Sequence, residues 1–161
     1  MIREINGVGP RIVYSPDGAN VTALQAVAEP TVSTAKKTIL LVDDEVAIRS
    51  LCGMILQGEG YNVLVAPNAS KALAILETSS VDLMLTDYMM PPGIDGLELT
   101  KEVNKLYPNT KVILMSALKT LDLDGLKLAG QFSKPFESSD LIECIGKLFG
   151  AEEKLDEEPV S

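Results

Sequence analysis

The sequence contains no histidine and no tryptophan, and only two cysteines, Cys52 and Cys144, in 161 residues. Without histidine there is no imidazole to act as general base or as the commonest zinc ligand, which excludes Ser-His-Asp hydrolysis and HExxH metalloprotease chemistry. Any reacting group must be a carboxylate, a lysine or a hydroxyl. The two cysteines sit in apolar helical contexts and lack the dense pairing of a secreted disulfide scaffold, so they are expected to be buried free thiols in a reducing cytosol. Long apolar runs are also missing. The longest, Ala72 to Leu76, has five residues, whereas a bilayer-spanning helix needs about 20. Residues 1 to 10 carry Arg3 and Glu4 but no apolar core of a secretory signal, so the expected location is the cytoplasm, with no membrane partner. Positive charge is in deficit, 14 Lys and Arg against 23 Asp and Glu, for a net charge of −9. A nucleic-acid backbone would be repelled, and direct nucleic-acid binding is not expected.

Against these absences, 46% hydrophobic and 23% charged residues are the balance of an ordinary globule with one core. Residues 1–37, with Gly7, Gly9, Pro10, Pro16, Gly18 and Pro30, read as an irregular N-terminal extension, with one short helix over 20–28 capped by Asn20. The texture changes at residue 38. Short apolar runs, the signature of strands buried on both faces, occur at Ile39 to Val42, Val63 to Ala66, Leu83 to Leu85 and Val112 to Met115, with a weaker one at Gln131 to Ser133. Helical segments fall between and after them, at 45–58, 69–78, 96–106, 120–129 and 137–149. Five such units over 38–150 predict an α/β fold: a doubly wound, five-stranded parallel sheet with helices on both faces. Residues 151–161, with Glu152, Glu153, Asp156, Glu157 and Glu158 against Lys154, read as an acidic disordered tail.

In an open α/β sheet, ligands bind at the carboxyl ends of the strands. The residues there are Asp43, Asp44 and Glu45 after the first run, Asp87 after the third, Ser116 and Ala117 after the fourth, and Lys134 and Pro135 after the fifth. Each has an ordinary explanation alone: Asp43 or Asp44 as a helix cap, Asp87 at a strand end, Ser116 opening a turn, Lys134 as a solvated charge. Their coincidence on one edge of one sheet argues for a site. Three carboxylates packed together repel one another and must hold protons or bind a cation. With oxygen ligands only, Mg²⁺ fits best and Mn²⁺ is a substitute.

ILLVDDE at 39–45, LMLTDYMMP at 83–91, DGLEL at 95–99, ILMSA at 113–117 and KPF at 134–136 together resemble the receiver domain of two-component response regulators. The resemblance covers roughly residues 38–149. It implies a flavodoxin-like sheet of order 2-1-3-4-5 and a Mg²⁺ site in which Asp44 and Asp87 touch the metal, Asp43 acts through water, and Met89 contributes its backbone carbonyl. It further implies that Asp87 accepts a phosphoryl group from the phosphohistidine of a sensor histidine kinase or a histidine phosphotransfer protein. Lys134 would neutralise the phosphoryl charge, after a cis bond to Pro135. Ser116 would report the phosphoryl group to the face built by the fourth helix, fifth strand and fifth helix. The expected protein is a stand-alone phosphoacceptor that catalyses its own phosphorylation and slow dephosphorylation, is not a turnover enzyme, and signals to a downstream protein.

The pattern is not followed throughout. The loop from Asp87 to Asp95 is one residue longer than the family's, and is expected to bulge near the metal. Gln131 stands three residues before Lys134, where the family has an aromatic side chain, and Phe132 comes one position later. The stretch from Ser116 to Lys134 is shorter than usual, and Leu121-Asp122-Leu123-Asp124-Gly125 is a poor helix former. Met89 and Leu118 stand where polar side chains often orient a hydrolytic water, so loss of phosphate is expected to be slow. Two other classes compete: a phosphorylation-independent receiver-fold binding module, and a phosphatase of the haloacid dehalogenase type. The latter wants a second aspartate where this chain has Met89.

Overall fold

A computed structural model describes residues 35–118, 121 and 123–155. The expected helix at 20–28, and all of the N-terminal extension up to residue 34, lie outside the described residues.

The described residues form, in chain order, β1 (Thr38–Val42), α1 (Val46–Gly58), β2 (Asn62–Ala66), α2 (Ala69–Thr78), β3 (Leu83–Asp87), α3 (Gly96–Leu106), β4 (Lys111–Ser116), β5 (Gly130–Ser133) and α4 (Ser138–Leu155), strands and helices alternating up to β4. The five strands form one sheet in the order β2-β1-β3-β4-β5, and every pairing is parallel. This is the sheet order the resemblance implies.

Successive side chains of a strand point to opposite faces, and the sheet divides its apolar runs accordingly. Leu40, Val42, Met84 and Val112 face one way and pack with Ala69, Ala72 and Leu76 of α2 and Leu99 and Val103 of α3. Ile39, Leu41, Leu83, Leu85, Ile113 and Met115 face the other way and pack with Cys52 and Leu56 of α1 and Leu141, Ile145 and Phe149 of α4. Continuous rather than alternating hydrophobicity is required because the inner strands are covered on both faces. Cys52 is buried and Cys144 partly so, and both are free thiols.

The structure corrects two sequence expectations. The helix expected over 120–129 is not found among the described residues of that stretch. Instead, Leu126 N–H closes a turn onto the Leu123 carbonyl at 3.1 Å, and Gly125 at φ +80° takes a left-handed conformation that interrupts a right-handed helix. Conversely, α4 does not stop at 149 but runs to Leu155, so the expected start of the acidic tail at 151 falls inside a helix. Ala151, Glu152, Glu153, Lys154 and Leu155 are all good helix formers. No helix among the described residues is long and apolar enough to cross a membrane.

Candidate functional site

Register brings the candidate residues together. Val42 pairs with Thr86, so Asp43 and Asp87 follow side by side on adjacent strands. Asp87 pairs with Met115, the residue before Ser116. Ser116 pairs with Ser133, the residue before Lys134. One crevice edge therefore carries all four strand ends, at the point where strand order reverses between β1 and β3.

Asp43 is fully buried, and each of its polar groups is engaged. Its N–H donates to the Ala66 carbonyl at 3.2 Å, and its Oδ1 accepts from the Glu45 N–H at 2.9 Å. Its Oδ2 accepts from Lys134 Nζ at 2.9 Å, and its carbonyl accepts from Arg49 Nη1. The same Lys134 ammonium lies 3.2 Å from Asp87 Oδ1, which also accepts from the Tyr88 N–H at 3.0 Å. Burial raises the Asp87 carboxyl above the ordinary carboxylate range, with Lys134 opposing and Asp43 adding to the shift. For Lys134, burial works against the ammonium. Its hydrogen bond to Asp43 and the attraction of both carboxylates outweigh this, so its pKa rises. Cys52, beneath the site, is raised by burial and then by Asp43.

Asp44 is exposed, and its carboxylate joins those of Asp43 and Asp87 in a cluster whose ligand oxygens lie within 4.8 Å of one another. Among the described residues no other group of three such ligands forms. One ammonium against three carboxylates leaves net negative charge, and hard oxygen donors are the set that Mg²⁺ prefers. The residues fit such a cation. Ser116, also buried, accepts at Oγ from the Leu118 N–H at 2.9 Å, while its carbonyl accepts from the Lys134 N–H at 2.7 Å. The Lys134–Pro135 bond is cis.

The departures from the family pattern have plain structural forms. The Met89 and Leu118 side chains are 60% and 47% exposed, bringing apolar surface to the rim where a water-orienting group would be polar. In the lengthened loop Pro91, Pro92 and Gly93 are all exposed, with Gly93 at φ +124°. Gln131 is exposed, and Phe132 packs with Phe136 at a ring separation of 5.4 Å, in the core layer of α1 and α4.

Two residues with a part in the site were not assigned one from sequence. Gly96 opens α3 so close to β3 that a Cβ there would lie 1.8 Å from the Asp87 carbonyl oxygen. Its N–H donates to the Tyr88 carbonyl at 2.8 Å. The Asp95-Gly96 pair carried a signal, since Asp95 caps α3 by accepting from the Glu98 N–H at 2.8 Å, and a glycine next to a cap marks close backbone approach. Arg49 gave no signal. A lone arginine on a helix is ordinarily a solvated charge, and only the fold brings its guanidinium to the Asp43 carbonyl.

Comparison with known proteins gives a consistent result. The family model described as "Response regulator receiver domain" matches residues 39–146. Sporulation initiation phosphotransferase F of Bacillus subtilis is 35% identical over 113 residues, covering 68% of this chain and 90% of that protein. The transcriptional regulatory protein CpxR of Klebsiella pneumoniae is 41% identical over 112 residues, and the chain spans only 47% of its length. Among solved structures, a CheY-like receiver domain protein from Methanospirillum hungatei superposes with a TM-score of 0.69 at 33% identity, covering 74% of this chain and 99% of that one. The response regulator TrrA of Thermotoga maritima, in complex with Mg²⁺ and BeF, gives 0.64 at 37% identity, covering 70% and 98%.

Proposed function

This chain belongs to the response regulator receiver family of two-component signal transduction, and from that premise we propose that it accepts a phosphoryl group on Asp87 in a Mg²⁺-dependent reaction and signals by changing which protein it binds. The observation that carries the reading is the Lys134 ammonium held 2.9 Å from Asp43 Oδ2 and 3.2 Å from Asp87 Oδ1, inside a cluster of three carboxylates.

The donor is a phosphohistidine on a sensor histidine kinase or a histidine phosphotransfer protein, which suits a chain with no histidine of its own. Asp87 Oδ1 is engaged by the Tyr88 N–H and by Lys134. Among the described residues no hydrogen bond to Oδ2 is found and no buried side-chain polar atom lacks a partner, so Oδ2 is open to an incoming donor. A lone pair of Oδ2 attacks phosphorus, the phosphorus–nitrogen bond breaks, and the imidazole of the donor leaves with that bonding pair. Asp44 and Asp87, with Asp43 through water, would hold a Mg²⁺, which would supply charge stabilisation to the phosphoryl group. The Met89 backbone carbonyl is the further ligand that the family pattern suggests. Lys134 adds a fixed positive charge on the other side, and Ser116 offers its hydroxyl to the phosphoryl group. Phosphoryl transfer needs little more than such positioning and electrostatics. Asp87 is both acceptor and part of the catalytic set, so the protein catalyses its own modification and does not turn over an external substrate.

Mg²⁺-dependent labelling by acetyl phosphate, read as intact mass on the wild type and Asp87→Asn together, tests the reading. One added phosphate on the wild type, absent from the variant and absent without Mg²⁺, is the expected result. No labelling of either refutes it. A second reading, a binding module indifferent to phosphorylation, is favoured by the exposed Gln131 and by the absence of a helix among the described residues between β4 and β5. It predicts equal partner binding by the labelled and unlabelled protein.

A further inference from the structure

Arg49 lies on α1 one turn beyond Asp43, Asp44 and Glu45, yet its Nη1 donates to the backbone carbonyl of Asp43 rather than to any of those carboxylates. That carbonyl belongs to the peptide joining Asp43 to Asp44. A charge-assisted hydrogen bond is strong and directional, and because the peptide unit is planar, holding its oxygen fixes the direction in which the chain enters Asp44. Asp43 has other support, since its carboxylate is held by the Glu45 N–H and by Lys134. Asp44 has no comparable support: its residue is exposed, and no hydrogen bond to its carboxylate is found among the described residues. Its carboxylate nonetheless reaches the cluster with Asp43 and Asp87.

Resting on the reading of this cluster as a cation-dependent phosphoacceptor site, the geometry points to Arg49 as a positioning residue that, through the Asp43 carbonyl, aims the Asp44 carboxylate at the cation without touching it. A guanidinium beside an acidic cluster also has a plain Coulomb effect, which repels a divalent cation. The two roles predict opposite signs. If charge dominates, removing Arg49 tightens cation binding; if positioning dominates, removal weakens it.

The test is Mn²⁺ affinity of the full chain, with free Mn²⁺ read by electron paramagnetic resonance, for the wild type, Arg49→Met, Arg49→Lys, Asp44→Asn and the double variant Arg49→Met/Asp44→Asn. Arg49→Met is expected to weaken Mn²⁺ binding about tenfold, the low end for groups that orient metal ligands. Arg49→Lys keeps a charged donor and recovers most of that loss. If Arg49 acts through Asp44, the double variant binds no more weakly than Asp44→Asn alone, whereas a merely structural role gives additive losses. Unchanged or tighter binding by Arg49→Met, or full additivity, overturns the inference. If circular dichroism shows Arg49→Met unfolded, the neutral donor Arg49→Gln is judged by the same criteria. A wild type that binds no Mn²⁺ refutes the cation site itself, an outcome distinct from a wild type that binds alongside an unaffected Arg49→Met.

Discussion

The carboxyl ends of β1 and β3 and the connection from β4 to β5 lie on the same sheet, yet they are held very differently. At the first, Asp43, Asp87 and Lys134 are tied together across three segments by contacts of 2.9 and 3.2 Å, and the backbone groups of Asp43 are bonded too. At the second, the bonds include the turn at Leu123 and Leu126, the Ala129 N–H donated to the Val112 carbonyl at 2.7 Å, and exposed bonds of the Asn104 side chain, which accepts from the Lys127 N–H at 2.9 Å and donates to its carbonyl at 3.1 Å. Buried charges left half-satisfied are costly, so the first region has one workable arrangement. Exposed backbone can bond to water instead, so a loop there can depart from a family pattern without endangering the fold. On the proposed function, buried charge would fix the chemistry while the surface that would transmit it is free to differ.

That contrast is most easily broken at Gly96. Gly96→Ala places a methyl 1.8 Å from the Asp87 carbonyl oxygen, a backbone atom that cannot rotate away. The expected cost is about 3 kcal/mol, at the upper end for overpacking, read as a shift in the urea midpoint, together with loss of most acetyl phosphate labelling. Normal labelling would show that the acceptor end is less constrained than its bonds suggest. Lys134→Met comes next. It leaves Asp43 buried beside two other carboxylates, so the metal-free protein should lose about 2 kcal/mol, less than a fully buried pair because Lys134 reaches some solvent. Added Mg²⁺ should narrow the gap to wild type in the same urea melts by offsetting the carboxylates. An unchanged gap would mean that the cluster does not bind the cation.

The acceptor end was also the more legible of the two regions in the sequence. Asp43, Asp44, Asp87, Ser116 and Lys134 could be read because each directly follows an apolar run, and strand ends are where an α/β sheet exposes chemistry. The parallel, doubly wound sheet followed from the same runs, and its order from the resemblance to receiver domains. What escaped was set by tertiary approach: Gly96 matters for where α3 meets β3, and Arg49 for the Asp43 carbonyl that its guanidinium reaches. The β4 to β5 connection misled for a different reason. A helical segment is expected at 120–129 to complete the repeating units, although Leu121-Asp122-Leu123-Asp124-Gly125 forms helix poorly; Gly125 breaks the hand of the backbone and Leu128 is drawn separately into the core. At the other end, good helix formers after Gly150 extend α4 where the run of acidic residues suggested a tail.

Smaller effects probe the rim of the site and then the far side. Met89, 60% exposed two residues after Asp87, has a side chain with no strong hydrogen-bonding group to hold a hydrolytic water, so on the proposed function the phosphorylated protein should lose its phosphate slowly. Met89→Asn should speed that loss about tenfold, the low end for a group that assists proton transfer or water positioning, as followed by intact mass after removal of the donor. An unchanged rate would mean that something other than the rim limits hydrolysis. The smallest effect is expected from Gln131→Tyr, which restores the family's aromatic residue on the edge strand β5. Gln131 is exposed and, among the described residues, β5 pairs only with β4, so stability should change by no more than about 0.5 kcal/mol, and the labelling rate should stay within twofold. If the new ring instead turned inward and altered labelling, the output side would be coupled to Asp87 more tightly than its exposed bonds imply. If labelling held while partner binding changed, the two regions would be separable, with chemistry fixed by buried charge and output tuned at the sheet edge.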